Sequence, residues 1–315
     1  MTAAPQIDEI RNPDFLSDVL AGFAEHPRTL PGKYLWDEAG SDLFDRLCHT
    51  EAYYLTRREM ALLPAVAAEV ATQIGSGATV VEFGSGASRK IRTLLDALEA
   101  PAAYIAVDIS GDYLADALRR LALDYPGVAM QAVCADYTAP FTLPLPASSG
   151  PLLAFFPGTS IGNFSPQDAA AFLIRAREAL GPCLFLVGAD PTVETQGLSA
   201  AYGAANALMG AFHRNLLVRM NRELGADVDP DAFQHEARIC ADPFRVEAHL
   251  VARAPTTARV AGTTFRFAAG DSIRTDTSHK YTPDAFRALA ARSGWEPVRH
   301  WSGEGGGFSL HLLRG

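Results

Sequence analysis

The chain has 315 residues, is 48% hydrophobic and 20% charged, and carries a net charge of −9 with an isoelectric point near 5.4. That length can bury a large core in one domain or two, and an acidic balance without a clustered basic face argues against nucleic acid as a partner. No run reaches the roughly 18 apolar residues of a membrane span, and the opening MTAAPQIDEIRNP lacks the basic-then-apolar pattern of a signal peptide, so a cytoplasmic protein is expected, with monomer as the default.

The four cysteines, Cys48, Cys134, Cys183 and Cys240, show no CxxC pairing, which points to neither a zinc site nor a disulfide framework. Cys134 and Cys183 fall inside apolar runs and read as buried free thiols. The charged runs RREM (57–60) and RALAARSGWEPVR (287–299) read as solvated helix faces.

Residues 57–75 are expected to be helical. ATVVEF (78–83) is a short β-branched run, hence a buried strand, and GSGAS (84–88) is a turn. Ile91, Leu94, Leu95 and Leu98 follow at helical spacing. AYIAVDIS (103–110) is a second strand leading into a helix with Leu114, Leu118 and Leu121, and VAMQAVCADY (128–137) is a third. LLAFFPG (152–158) is the fourth, followed by a helix over 165–180, and CLFLVGAD (183–190) is the fifth. A single long helix is expected over 198–224. RVEAHLVAR (245–253) and ARVAGTTFRFAAGDSI (258–273) read as an antiparallel pair. A helix over 282–293 and the strands PVRHWS (297–302) and FSLHLLR (308–314), joined by a glycine turn, complete the chain.

Short apolar strands alternating with amphipathic helices imply an α/β fold with a doubly wound, mostly parallel sheet. With the terminal hairpin, the expected shape is the seven-stranded, Rossmann-like sheet of S-adenosylmethionine (SAM)-dependent methyltransferases, plus an α+β substrate domain. The cofactor domain is expected over 58–192 and 281–315, and the substrate domain over 1–57 and 193–280.

Ligands of such sheets bind at the carboxyl ends of the strands, beside the switch point. The strand-end residues here are Glu82, Asp108, Asp136, Gly158 and Asp190. EFGSGASRK (82–90) fails the dinucleotide pattern, because Arg89 stands where the third glycine belongs. SAM has no phosphates. Gly84 and Gly86 would let the backbone approach such a cofactor closely, Asp108 is placed for its ribose hydroxyls, and Asp136 lies beside its adenine. Lys90 either meets the cofactor carboxylate or is solvated. For Asp108 and Asp136 the competing reading is a helix cap.

EFGSGASRK, VDISGDYL, CADY, FFPGTSIGNF, NRELGAD, SIRTDTSHKYTP and FSLHLL together resemble the histidine Nα-methyltransferases of ergothioneine biosynthesis, over about residues 33–313. That resemblance implies SAM as cofactor and trimethylation of the α-amine of histidine to hercynine. It implies that Gly158 and Asn163 surround the reacting amine, and that Tyr53 and Tyr202 serve the amino-acid site, Tyr202 through the carboxylate. It further implies that Asp276 and Ser278 face the imidazole, with Ala248 nearby, and that Trp36, Gly84, Gly86, Lys90, Asp108, Asp136 and Tyr137 serve the cofactor. The chain departs from the family pattern where Asp276 replaces glutamate, Ala248 replaces methionine, Trp36 replaces tyrosine, His279 replaces the tyrosine of SYKY, and FPGTS replaces FPGST. The first two changes enlarge the side-chain end of the pocket. The alternative reading is therefore Nα-methylation of another amino acid, tryptophan or another aromatic, and a further one is a SAM-fold binding protein without catalysis. His49, His213, His249 and His311 are scattered and read as structural, His279 as pocket or surface, and no metal constellation is evident.

Overall fold

The computed structural model describes residues 13–86, 89–109, 111–145 and 150–315. Ala87 and Ser88 of the glycine turn, Ser110 of VDISGDYL and the first 12 residues lie outside them. The elements run α1 (Pro13–Ala24), β1 (Arg28–Thr29), α2 (Glu38–Cys48), α3 (Tyr54–Ile74), β2 (Thr79–Phe83), α4 (Arg89–Ala97), β3 (Ala103–Asp108), α5 (Gly111–Asp124), β4 (Ala129–Cys134), β5 (Leu152–Phe156), α6 (Pro166–Leu180) and β6 (Leu184–Ala189). They continue with α7 (Thr195–Tyr202), α8 (Ala207–Leu224), β7 (Asp227–Val228), β8 (Phe233–Ala241), β9 (Phe244–Ala252), β10 (Thr256–Val260), β11 (Thr263–Phe267), β12 (Ser272–His279), α9 (Pro283–Arg292), β13 (Glu296–Ser302) and β14 (Ser309–Arg314).

The described residues divide into two compact units. One takes those up to Phe44 with Tyr202–Ile239 and Glu247–Asp276; the other takes Asp45–Ala201, Cys240–Val246 and Thr277–Gly315. The second holds a seven-stranded sheet of order β13-β14-β6-β5-β2-β3-β4. β2 through β6 are parallel, and β14 runs antiparallel to both β6 and β13. Strand β2 pairs with β3 on one side and β5 on the other, so the order reverses there. The inner strands β2, β3, β5 and β6 bury both faces. Phe155 and Leu153 pack with Leu63, Val66, Ile91 and Tyr104 on one side, while Phe156 and Ala154 pack with Phe83, Phe172 and Phe185 on the other. Side-chain alternation along a strand puts neighbouring residues on opposite faces, which is why a doubly covered strand needs the unbroken run LLAFF.

The other unit contains most of a four-stranded sheet of order β1-β12-β9-β8 and a small sheet of order β11-β10-β7. Its helix α8 buries Met209, Phe212, Leu216, Leu217 and Met220.

Four expectations need correction. The long helix over 198–224 is two helices, because Asn206 caps the start of α8 by accepting the Met209 N–H at 3.4 Å. The run 258–273 is not one strand: Ala261 and Gly262 have φ of 44° and 82° and turn β10 back onto β11, the two-residue turn with consecutive positive φ that closes hairpins. Strand β9 neighbours β8 and β12, and of the run only its last residues, Ser272 and Ile273 at the start of β12, fall in a strand beside it. Cys134 is exposed, because β4 is the edge strand; Cys183 is buried as expected. In RREM, Glu59 is fully buried.

Candidate active site

At the switch point the ends of β2 and β5 lie side by side. After β2 the chain turns through Gly84 and Gly86, with φ of 68° and 47°. A residue with a side chain adopts such angles at a cost, and a Cβ on Gly84 would sit 3.2 Å from the Tyr137 hydroxyl, whereas one on Gly86 would meet nothing within 4 Å among the described residues. The turn is thus an open cradle edged by backbone. Asp108, the last residue of β3, accepts the Gly86 N–H through Oδ2 at 3.2 Å and so braces the cradle directly.

Asp136 lies two residues past the end of β4 and closes a local turn, accepting the Thr138 N–H at 2.9 Å and its hydroxyl at 2.5 Å through Oδ1. The ring of Tyr137 packs edge-on against Phe83 and Phe156, and burial pushes its phenol pKa up. Glu82, one residue before the end of β2, is buried under the cradle and accepts the Tyr104 hydroxyl at 2.5 Å; burial raises its pKa to about 8.

After β5 the chain reverses at Gly158, with φ of 70°. Its N–H donates to Glu59 Oε1 at 2.7 Å, and the other oxygen of Glu59 takes the ammonium of Lys90 at 2.5 Å. Lys90, expected on the cofactor or in solvent, is therefore tied to a buried carboxylate, with its head 3.2 Å from where a Gly158 Cβ would be. The Gly158 oxygen lies 2.2 Å from the position a Cβ on Gly188 of β6 would take, so the loop can sit where it does only because residue 188 is glycine. A short 3-10 turn, Ser160–Asn163, follows and leaves Asn163 exposed. Gly162 packs against the His279 backbone, and the Thr277 hydroxyl donates to the Asn163 carbonyl at 3.3 Å. The end of β12 is thus fastened along this loop, which brings Ser278 into its neighbourhood. Ser278 is itself held: the Lys280 ammonium donates to its Oγ at 2.9 Å and to Asp190 Oδ2 at 2.7 Å. Asp190 also accepts the Tyr54 hydroxyl at 2.9 Å, next to Tyr53 at the start of α3.

The remaining expected residues belong to the other unit. Trp36 lies edge-on to Phe44 and Phe212. Ala248 is buried on β9, and its carbonyl accepts the Thr275 hydroxyl at 3.2 Å. The carboxylate of Asp276 lies against Gly32, 3.0 Å from a Cβ placed there. The carbonyl of Tyr202 is bonded to His235 Nε2 at 2.7 Å, and that ring stacks on His213 at 4.9 Å.

Sequence reasoning missed Glu59, Thr277, Lys280 and Gly188. A signal existed for Glu59: it falls four residues from both Leu55 and Leu63, on the buried face of α3.

Among the described residues no cluster of three or more histidine, cysteine or acidic side chains could hold a metal, and no helix is long and apolar enough to cross a membrane. A parallel sheet closed by an antiparallel hairpin, with a glycine cradle, a strand-end acid and no phosphate-type third glycine, defines a SAM-dependent methyltransferase. The match to the family described as "Histidine-specific methyltransferase, SAM-dependent" covers residues 15–315, and the chain belongs to that family. It is 38% identical over 301 residues to the histidine N-alpha-methyltransferase of Mycolicibacterium smegmatis, covering 94% of this chain and 93% of the relative. It is 36% identical to that of Mycobacterium tuberculosis, with the same coverage. Ergothioneine biosynthesis protein 1 of Neurospora crassa is 31% identical over 297 residues, 91% of this chain but 33% of that longer protein. SAM is the cofactor, and its fit is visible in the open cradle at Gly86 and in the half-buried Asp108 beside it.

Proposed function

We propose that the chain methylates the α-amine of free histidine, up to the trimethylated product, as a monomer in the cytoplasm. The observation that carries this reading is the position of Asn163: an exposed amide, on the loop after β5 that is fastened to α3 through Glu59 and to β12 through Thr277, at the switch point beside the cofactor cradle.

SAM supplies an electrophilic methyl group when bound; Gly84, Gly86, Lys90, Asp108, Asp136, Tyr137 and Trp36 are its proposed contacts. The chain's task is to present a neutral amine in line with that methyl, at about 3 Å in a near-attack geometry. A neighbouring positive charge and partial burial both disfavour the ammonium form, so the proton can leave to water and no strong base is required. The side-chain oxygen of Asn163 accepts one amine N–H, and the Gly158 carbonyl a second, which turns the lone pair toward the methyl. These acceptor contacts weaken as N–H groups are replaced by methyls. Tyr202 is the proposed donor to the substrate carboxylate. Tyr53, Ala248, Asp276 and Ser278 are the proposed side-chain contacts.

A second reading, Nα-methylation of a larger aromatic amino acid such as tryptophan, is favoured by the small side chain of Ala248 and by Asp276, whose carboxylate lies back against Gly32. A site that loses a hydrogen bond to its substrate discriminates less. Incubation with SAM and each amino acid in turn, read by mass spectrometry, separates the two. Methyl gain on histidine with the highest kcat/KM supports the first reading; a higher kcat/KM on tryptophan supports the second.

A further inference from the structure

Glu59 stands outside every motif that carries the family likeness, yet it holds two parts of the site at once. Its carboxylate is fully buried on α3. One oxygen takes the N–H of Gly158, at the end of β5; the other takes the ammonium of Lys90, on the second residue of α4. Lys90 is the cation that lies nearest the Gly158 turn, and its side chain is 22% exposed, so much of its charge is removed from water. The other acidic groups here do not balance it in the same way. Burial pushes Glu82 toward its neutral form, and Asp108 accepts the Gly86 N–H, whereas the Glu59 carboxylate meets the Lys90 ammonium directly.

We infer that Glu59 is a positioning and charge-neutralising residue: it registers the cofactor turn against the Gly158 loop and cancels the Lys90 charge so that a sulfonium can bind beside it. This rests on the reading of this sheet edge as the SAM site. A lysine alone at a partly desolvated strand edge would repel the positive sulfur of SAM, because charges interact more strongly away from water. Paired with Glu59 it remains a donor with two further N–H bonds to give, but the pair carries no net charge. S-adenosylhomocysteine (SAH) has the same amino-acid and adenosine ends and a neutral sulfur. The comparison of SAM with SAH therefore isolates the charge effect from any loss of shape.

The test is calorimetric measurement of Kd for SAM and for SAH on the full chain, in wild type, Glu59→Gln, Lys90→Met and the double variant. Glu59→Gln keeps an oxygen for the Gly158 N–H but removes the counter-charge, and is expected to raise the ratio Kd(SAM)/Kd(SAH) by about tenfold. Lys90→Met is expected to lower that ratio, and the double variant to return it near the wild-type value. A ratio unchanged in both single variants, or moved the same way by both, overturns the inference, since mere structural damage weakens the two ligands alike. If Glu59→Gln does not fold, as judged by circular dichroism, Lys90→Met alone decides by the sign of its shift. Wild-type protein that binds neither ligand would instead overturn the reading of the site, and the inference with it.

Discussion

Asn163 and Glu82 show how differently two polar residues at one sheet edge are used. Asn163 is exposed, and its backbone carbonyl accepts the Thr277 hydroxyl of β12. Asn163→Ala should lower kcat/KM by about 10²-fold or more, the order seen when a positioning contact is lost, while calorimetry shows SAM affinity nearly unchanged. Equal loss of both would remove Asn163 from the amine. Glu82 is buried, and its pKa of about 8 in the folded chain exceeds its ordinary value of 4.5. The folded state therefore holds a proton between pH 4.5 and 8 that the unfolded state releases, and stability from this group is full below 4.5 and lost as pH rises through 8. Glu82→Gln is neutral at every pH and still accepts the Tyr104 hydroxyl. It should match wild type in urea unfolding at pH 5 and exceed it at pH 9 by a margin on the order of a few kcal/mol. An equal pH slope in both proteins would contradict this. Both residues were visible in the sequence as strand-end or loop polar groups. Which one faces a ligand was not, because burial depends on the neighbouring strand and not on the residue's own spacing.

Elements were legible wherever period and punctuation agreed. All five parallel strands and the closing hairpin were expected within a few residues of where they lie, since each is a short apolar run bounded by glycine, proline or an acid. The errors fall where a capping or turn residue was overlooked: Asn206 divides α7 from α8, and Ala261–Gly262 divides β10 from β11. Glu59 escaped because a charged residue inside RREM reads as solvated until the lysine that balances it, 31 positions later in EFGSGASRK, is brought to it by the fold. Close packing of loop against strand is equally hidden, and it makes a sharp prediction. Gly188 lies in β6, and a methyl group there would sit 2.2 Å from the Gly158 oxygen. Backbone cannot yield as a flexible side chain does, so Gly188→Ala should cost roughly 1–3 kcal/mol and raise KM for the amino acid by displacing the loop. Activity and stability equal to wild type would show that the β5 loop does not depend on this close approach.

The whole molecule carries an acid-sensitive set of buried histidines. Burial lowers the pKa of His311 to about 3 and holds those of His213, His235 and His249 below 6.5. Burial favours the neutral ring of each in the folded chain, so stability from these groups is full above pH 6.5 and is lost as the pH drops below it, toward about 3 for His311. In a Glu82→Gln background, which removes the opposing trend of that carboxyl, the urea midpoint should decline from about pH 6 to about pH 4, and His311→Gln should flatten part of that decline; a midpoint independent of pH across this range would contradict the burial of these rings. Neither histidine burial nor the Lys280–Asp190 ion pair has a sequence signature, since both arise from contacts between distant segments. Presentation of the α-amine of histidine to SAM at this sheet edge is what the proposed function requires of the folded chain. It is tested most directly by incubating the protein with histidine and SAM and fragmenting the product in a mass spectrometer. Mass gains of one to three methyl groups, all on the α-nitrogen, are expected. Methyl groups on the imidazole ring, or none on histidine while SAM is bound, would contradict it.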